Sequence, residues 1–199
     1  MSYAIIGSGH IGGALASQFA RKGIDVQIAN KRGPASLANL VRDLGPSVKA
    51  VSLQEALSAN IVFLAVPFSA VRDSVREAKG WGGRIVVDAT NAVGVPPGEL
   101  GGRLSTELVA EAVPGARVVK AFNTMFAAVL AQDPAQSGGH RVVFLSGNDE
   151  QANVEVAALV ERLGFAPVVL GGVAEGGRLQ HFGGALVGLN LIKHPNPGR

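Results

Sequence analysis

Three glycines near the amino terminus, Gly7, Gly9 and Gly12, separate a short apolar run, Ala4-Ile5-Ile6, from a stretch in which Ile11, Leu15 and Phe19 recur until Gly23. The run suits a strand buried on both faces, and the recurrence suits an amphipathic helix stopped by glycine. The spacing G-x-G-x-x-G adds a chemical restriction. Its first glycine permits a tight turn, its second admits a pyrophosphate against the backbone, and its third lets helix press on strand. The free N–H groups of the helix start then face an anion. With 27 glycines in 199 residues the triplet alone has chance matches. Strand before, helix after and a second strand on time make it a dinucleotide signature, with Gly7, Ser8, Gly9, His10, Ile11 and Gly12 as candidate cofactor contacts.

The second strand, Asp25 to Asn30, ends where NAD-preferring domains of this kind place an Asp or Glu on the ribose hydroxyls. Here the position is the neutral Asn30, followed by Lys31-Arg32. Two cations suit a 2′-phosphate, so NADP(H) is favoured over NAD(H), and charge-assisted hydrogen bonds of roughly 1.5–3 kcal/mol each can supply the preference.

Further along, Val48–Val51, Ile61–Val66, Arg84–Ala89, Arg117–Phe122, Arg141–Ser146 and Ala166–Leu170 read as strands, with helical stretches between them. The order predicts an α/β chain: a Rossmann-type doubly wound, mainly parallel sheet of about eight strands with a short C-terminal helical segment, running from Ala174 or Arg178 to Ile192. One domain over 1–199 is expected, with 1–122 as the dinucleotide-binding unit and 123–199 as an extension lining an acceptor site. Ligands in such sheets lie beyond the carboxyl ends of strands. That places Ala65, Val66 and Pro67 beside the cofactor, Thr90 and Asn91 near its nicotinamide end, and Asn123-Thr124-Met125 at a second edge of the cleft.

Composition narrows the chemistry. The chain lacks cysteine, which removes disulfides, thiolate zinc sites and cysteine nucleophiles together. Its four histidines have no ligand-like spacing, so no metal site is expected. The only tyrosine, Tyr3, lies in the first strand, which excludes the Tyr/Lys proton donor of short-chain dehydrogenases. A net charge of +3 with scattered basic residues argues against nucleic acid. No apolar run approaches the ~20 residues of a membrane span and no signal peptide opens the chain, so a cytoplasmic protein is expected. What remains is a reaction needing no strong acid from the protein, such as hydride transfer between two bound rings, and no side chain is singled out as catalytic.

The ordered set Gly7-Ser8-Gly9-His10-Ile11-Gly12, Asn30-Lys31-Arg32, Leu64 to Phe68, Val87 to Asn91, Val119 to Thr124, Ser146 to Glu150 and Gly176 to Leu179 resembles the NADPH-dependent coenzyme F420 reductase family. The resemblance implies a small Rossmann protein, usually a homodimer, in which a deazaflavin ring stacks on the nicotinamide of NADP(H). Asn123, Thr124 and Met125 would then line the deazaflavin side, and His181 to Leu189 would approach from the last helix. Two function classes follow: a reductase passing hydride to F420, a flavin or another small planar acceptor, and a non-catalytic NADP(H) sensor or partner subunit.

Overall fold

The computed structural model describes residues 1–195. The chain alternates strand and helix: β1 (Tyr3–Ile6), α1 (His10–Arg21), β2 (Val26–Ala29), α2 (Ala38–Leu44), β3 (Val48–Ala50), α3 (Leu53–Ala56), β4 (Ile61–Leu64), α4 (Val71–Val75), β5 (Ile85–Asp88), α5 (Ser105–Ala112) and β6 (Arg117–Ala121). The extension adds α6 (Ala127–Leu130), β7 (Ala135–Gln136), β8 (Gly139–Gly147), α7 (Glu150–Arg162), β9 (Ala166–Val169), α8 (Gly176–Gln180) and β10 (Ile192–Lys193). The sheet runs β10-β8-β6-β5-β4-β1-β2-β3, with β7 and β9 also paired to β8. From β3 to β6 all pairs are parallel, and β8 enters antiparallel to β6. Order reverses between β1 and β4, which opens a crevice at their carboxyl ends.

Strand periodicity sorts the core onto two faces. Tyr3 and Ile5 point to a cluster with Leu15 and Phe19 of α1 and Val156 and Leu159 of α7. Their neighbours Ala4 and Ile6 point to the opposite cluster with Ala56, Val71 and Val109. Leu15 and Phe19 are fully buried, worth about 1.5–3 kcal/mol each. An aromatic ladder crosses the first face at centroid spacings of 5.5, 5.7, 5.9 and 6.2 Å, from Tyr3 through Phe19, Phe63 and Phe122 to Phe165.

The structure departs from the sequence reading in two places. The sheet has ten strands rather than about eight, because β7 and β10, two residues each, pair with the long β8. Such pieces are too short to show a period. The last helix stops at Gln180 instead of continuing to Ile192: His181 is extended, and Gly183 and Gly188 take φ of 86° and 84°, which no helix accepts. Ser105 is the first residue of α5, and the Glu107 carboxylate accepts from the Leu104 amide just before it at 2.6 Å. Two other helices are capped by side chains, Ser52 accepting from the Glu55 amide at 3.2 Å and Asp149 from the Ala152 amide at 2.7 Å.

Candidate functional site

The glycine loop leaves β1 through Gly7, whose φ of 110° few side chains adopt and whose amide donates to the Ala29 carbonyl at 2.8 Å. A methyl group on Gly7 would lie 2.2 Å from the Ala65 carbonyl oxygen, and one on Gly12 would lie 2.0 Å from the Gly7 carbonyl oxygen. Both glycines are demanded by the protein's own packing. Gly9 is different: its φ is −75°, and a methyl group there would meet nothing within 4 Å. No contact within the protein asks for glycine at this position. The open space at the start of α1, with its free helix N–H groups, could hold a pyrophosphate.

Asn30 ties this loop to the next. Its side-chain amide donates to Ser8 Oγ at 2.9 Å, and its Oδ1 accepts from the Arg32 amide at 2.9 Å and from Ser36 Oγ at 3.1 Å. The turn therefore holds Lys31 and Arg32 outward, both exposed, and among the described residues neither pairs with a carboxylate. Ser36, not singled out from the sequence, fixes that turn. A cleft of about 630 Å³ opens here, with Gly7, Asn30, Lys31, Val66 and Pro67 on its walls and Arg76 near the end of α4 facing it. Ala65 and Val66 are half-buried and Pro67 exposed at the end of β4, beside the glycine loop.

Beyond β4 the strand ends carry a buried polar row. Asp88, Lys120 and Ser146 are register partners on β5, β6 and β8. Lys120 Nζ donates to Asp88 Oδ2 at 2.9 Å and to the Thr90 carbonyl at 2.8 Å, both side chains being fully buried. Thr106 donates to Asp88 Oδ2 at 2.8 Å, and the Thr90 amide and hydroxyl donate to Asp88 Oδ1 at 3.0 and 2.7 Å. Burial alone would push the Asp88 carboxyl up; the Lys120 charge and the hydrogen bonds from Thr90, Lys120 and Thr106 outweigh it and hold the group below the ordinary carboxylate value.

The polar row continues into α8. Ser146 Oγ donates to Gln180 Oε1 at 2.7 Å, while Gln180 Nε2 donates to the carbonyls of Phe144 at 3.0 Å and Lys120 at 3.3 Å. Asn123 donates to Asn91 Oδ1 at 3.0 Å and to the Gln180 carbonyl at 2.7 Å, and Asn91 donates to the Asn123 carbonyl at 2.7 Å.

Thr90 is thus buried against Asp88, and Asn91 is half-buried against Asn123 at the cleft edge. Asn123, Thr124 and Met125 are all buried, and the side chain that faces outward there is Phe126, 70% exposed. The segment after α8 crosses this edge, with the Gly188 amide donating to the Thr124 carbonyl at 2.8 Å. Asp88, Lys120, Thr106, Ser146 and Gln180 were missed from the sequence. A signal existed for two of them: Asp88 and Lys120 are single opposite charges in otherwise apolar strand runs, Val86-Val87-Asp88-Ala89 and Val118-Val119-Lys120-Ala121.

A doubly wound sheet whose glycine loop opens onto a crevice at its strand ends defines a Rossmann-type dinucleotide-binding protein. Residues 2–92 match the sequence profile of the family described as NADP oxidoreductase, coenzyme F420-dependent. The match spans a little under half of the chain, its dinucleotide-binding part, and it is this part that resembles the family of NADP-dependent oxidoreductases. The metalloreductase STEAP3 of Rattus norvegicus is 31% identical over 173 residues, 85% of this chain and 34% of that protein, so the chain spans about a third of this relative. Among solved structures, a hypothetical protein from Sinorhizobium meliloti matches with a TM-score of 0.93 at 56% identity, covering 97% of this chain and 96% of that one. A protein described as a candidate F420-dependent NADP reductase, from an Arthrobacter species, matches with a TM-score of 0.73 at 28% identity, covering 87% and 86%.

Proposed function

We propose that the protein moves hydride between NADP(H) and a planar redox acceptor, a deazaflavin such as coenzyme F420 or a flavin. One observation carries this reading: Asp88 and Lys120, the ionisable side chains beneath the ends of β5 and β6, are buried and committed to each other. A reaction placed there cannot draw on them as free acids, and hydride transfer needs none.

In this reading Lys31 and Arg32 hold the 2′-phosphate, Gly9 and the start of α1 hold the pyrophosphate, and Val66 and Pro67 flank the ribose. The strand ends from β2 to β6 then span four interstrand steps of about 4.8 Å, on the order of 19 Å, which carries an extended dinucleotide from Lys31 towards Asn91 and Asn123. Bound NADPH supplies the hydride; the residues around it orient the rings and exclude water. The name of the Arthrobacter protein supports a deazaflavin acceptor, and that of STEAP3 is a reason to include metal ions among the acceptors tried.

The test is to mix purified protein with NADPH and then with oxidised F420, FMN, FAD, ferric chelates or quinones, following nicotinamide absorbance. Oxidation of NADPH with F420 or a flavin, well above the blank, is expected. Tight NADPH binding with no oxidation by any of them would overturn the proposal in favour of a non-catalytic NADP(H)-binding protein.

A further inference from the structure

The chain makes a left-handed turn at Phe122, φ 62°, directly after β6. A bulky side chain rarely adopts that conformation, and it persists only where the surroundings over-determine it. One constraint is the ring itself, buried and wedged edge-on between Phe63 and Phe165. The other is Gln180. Its side chain, fully buried, is bonded to β8 through Ser146 and Phe144 and to β6 through the Lys120 carbonyl, and its backbone carbonyl accepts from the Asn123 side-chain Nδ2. α8 can sit this close because Gly176 carries no side chain; a methyl there would lie 2.6 Å from Leu170 Cβ and 2.7 Å from Ser146 Cβ.

From this geometry we infer that Gln180 is a positioning residue for the acceptor side of the site. It fastens the strained Phe122-Asn123 turn and the segment that follows α8 into one rigid wall, and it does so without reaching the glycine loop. The inference rests on the hydride-transfer reading above. An ordinary buried amide would matter for folding alone, whereas a positioning residue separates the two ligands: its loss loosens the acceptor and leaves NADPH alone.

The variant Gln180→Leu keeps the bulk and removes every side-chain hydrogen bond. The milder Ser146→Ala removes one of them and serves if the first variant does not fold. Three quantities are read: NADPH Kd by nicotinamide fluorescence, acceptor KM and kcat with F420 or FMN, and amide hydrogen exchange over residues 123–126 and 181–193. For Gln180→Leu the expectation is an acceptor KM raised about tenfold or more, an NADPH Kd within about twofold of the wild type, and faster exchange confined to those segments. Ser146→Ala should move the same quantities in the same direction by a few-fold. Unchanged KM and exchange would overturn the inference, as would a joint rise of acceptor KM and NADPH Kd. If the wild type oxidises no NADPH, the functional proposal fails while exchange still decides whether Gln180 fastens this wall.

Discussion

At the scale of single residues, the three loop glycines separate into two kinds by what surrounds them. Gly7→Ala and Gly12→Ala each drive a methyl into backbone carbonyl oxygen, at 2.2 and 2.0 Å, so both should destabilise the fold by several kcal/mol in urea unfolding. Gly9→Ala meets nothing, and its thermal midpoint should stay within a few degrees of the wild type. Its NADPH Kd should nevertheless rise at least about tenfold, because the methyl occupies ground the pyrophosphate needs. A Gly9→Ala protein that binds NADPH normally would contradict the assigned role. Lys31→Ala with Arg32→Ala addresses the other end of the cofactor. Removing two charge-assisted contacts of roughly 1.5–3 kcal/mol each should raise NADPH Kd at least about a hundredfold and leave NADH Kd nearly unchanged, as equilibrium fluorescence would read; an equal loss for both would sink the phosphate assignment.

At the scale of elements, the junction of β5 and β6 depends on the Asp88–Lys120 pair, whose charges are fully buried. Asp88→Asn leaves a buried ammonium without its counter-charge and should cost about 3–5 kcal/mol at neutral pH. Acid provides an independent check with a definite sign. The Asp88 carboxyl lies lower in the folded chain than unfolded, so its contribution is complete above the unfolded value of about 3.9 and is lost as pH falls through the lower folded value. The stability gap between wild type and Asp88→Asn in urea should therefore be constant from about pH 7 to pH 5 and shrink below about pH 4. A gap that widens in acid would contradict the assigned direction.

Elements also show where the sequence was readable. Ala4-Ile5-Ile6 and Ile61 to Leu64 announce buried strands because each is apolar without interruption and bounded by turn residues. The final segment misled because Leu179, Leu186 and Leu189 mimic a helical stripe, while the two left-handed glycines and the pairing of β10 with β8 are decided by tertiary contacts. The loops that wall the cleft were legible because their pattern is local: G-x-G-x-x-G and Asn30-Lys31-Arg32 each lie within one loop. The polar row was not, since Asp88, Lys120, Ser146 and Gln180 meet only through sheet register and the docking of α8.

At the scale of the whole molecule, the cofactor face and the extension meet along one edge of the sheet. Among the described residues no helix is long and apolar enough to cross a membrane. Phe126, Phe182, Leu189 and Leu191 stand exposed on the extension, and we propose that this face pairs two chains in the homodimer that the family resemblance implies. Light scattering after gel filtration should give twice the chain mass, and a monomer at micromolar concentration would overturn the homodimer. On the function proposed above, this edge brings NADPH and a planar acceptor together for direct hydride transfer. NADPH carrying deuterium at the transferred C4 position, mixed with oxidised F420 or FMN and followed by mass spectrometry that locates the deuterium, tests this transfer. With F420, deuterium is expected on the ring carbon that becomes reduced; with FMN, whose receiving nitrogen exchanges with water, the expected product is oxidised nicotinamide that has lost the label. Fully labelled NADPH, recovered unoxidised after prolonged incubation with either acceptor, would contradict it.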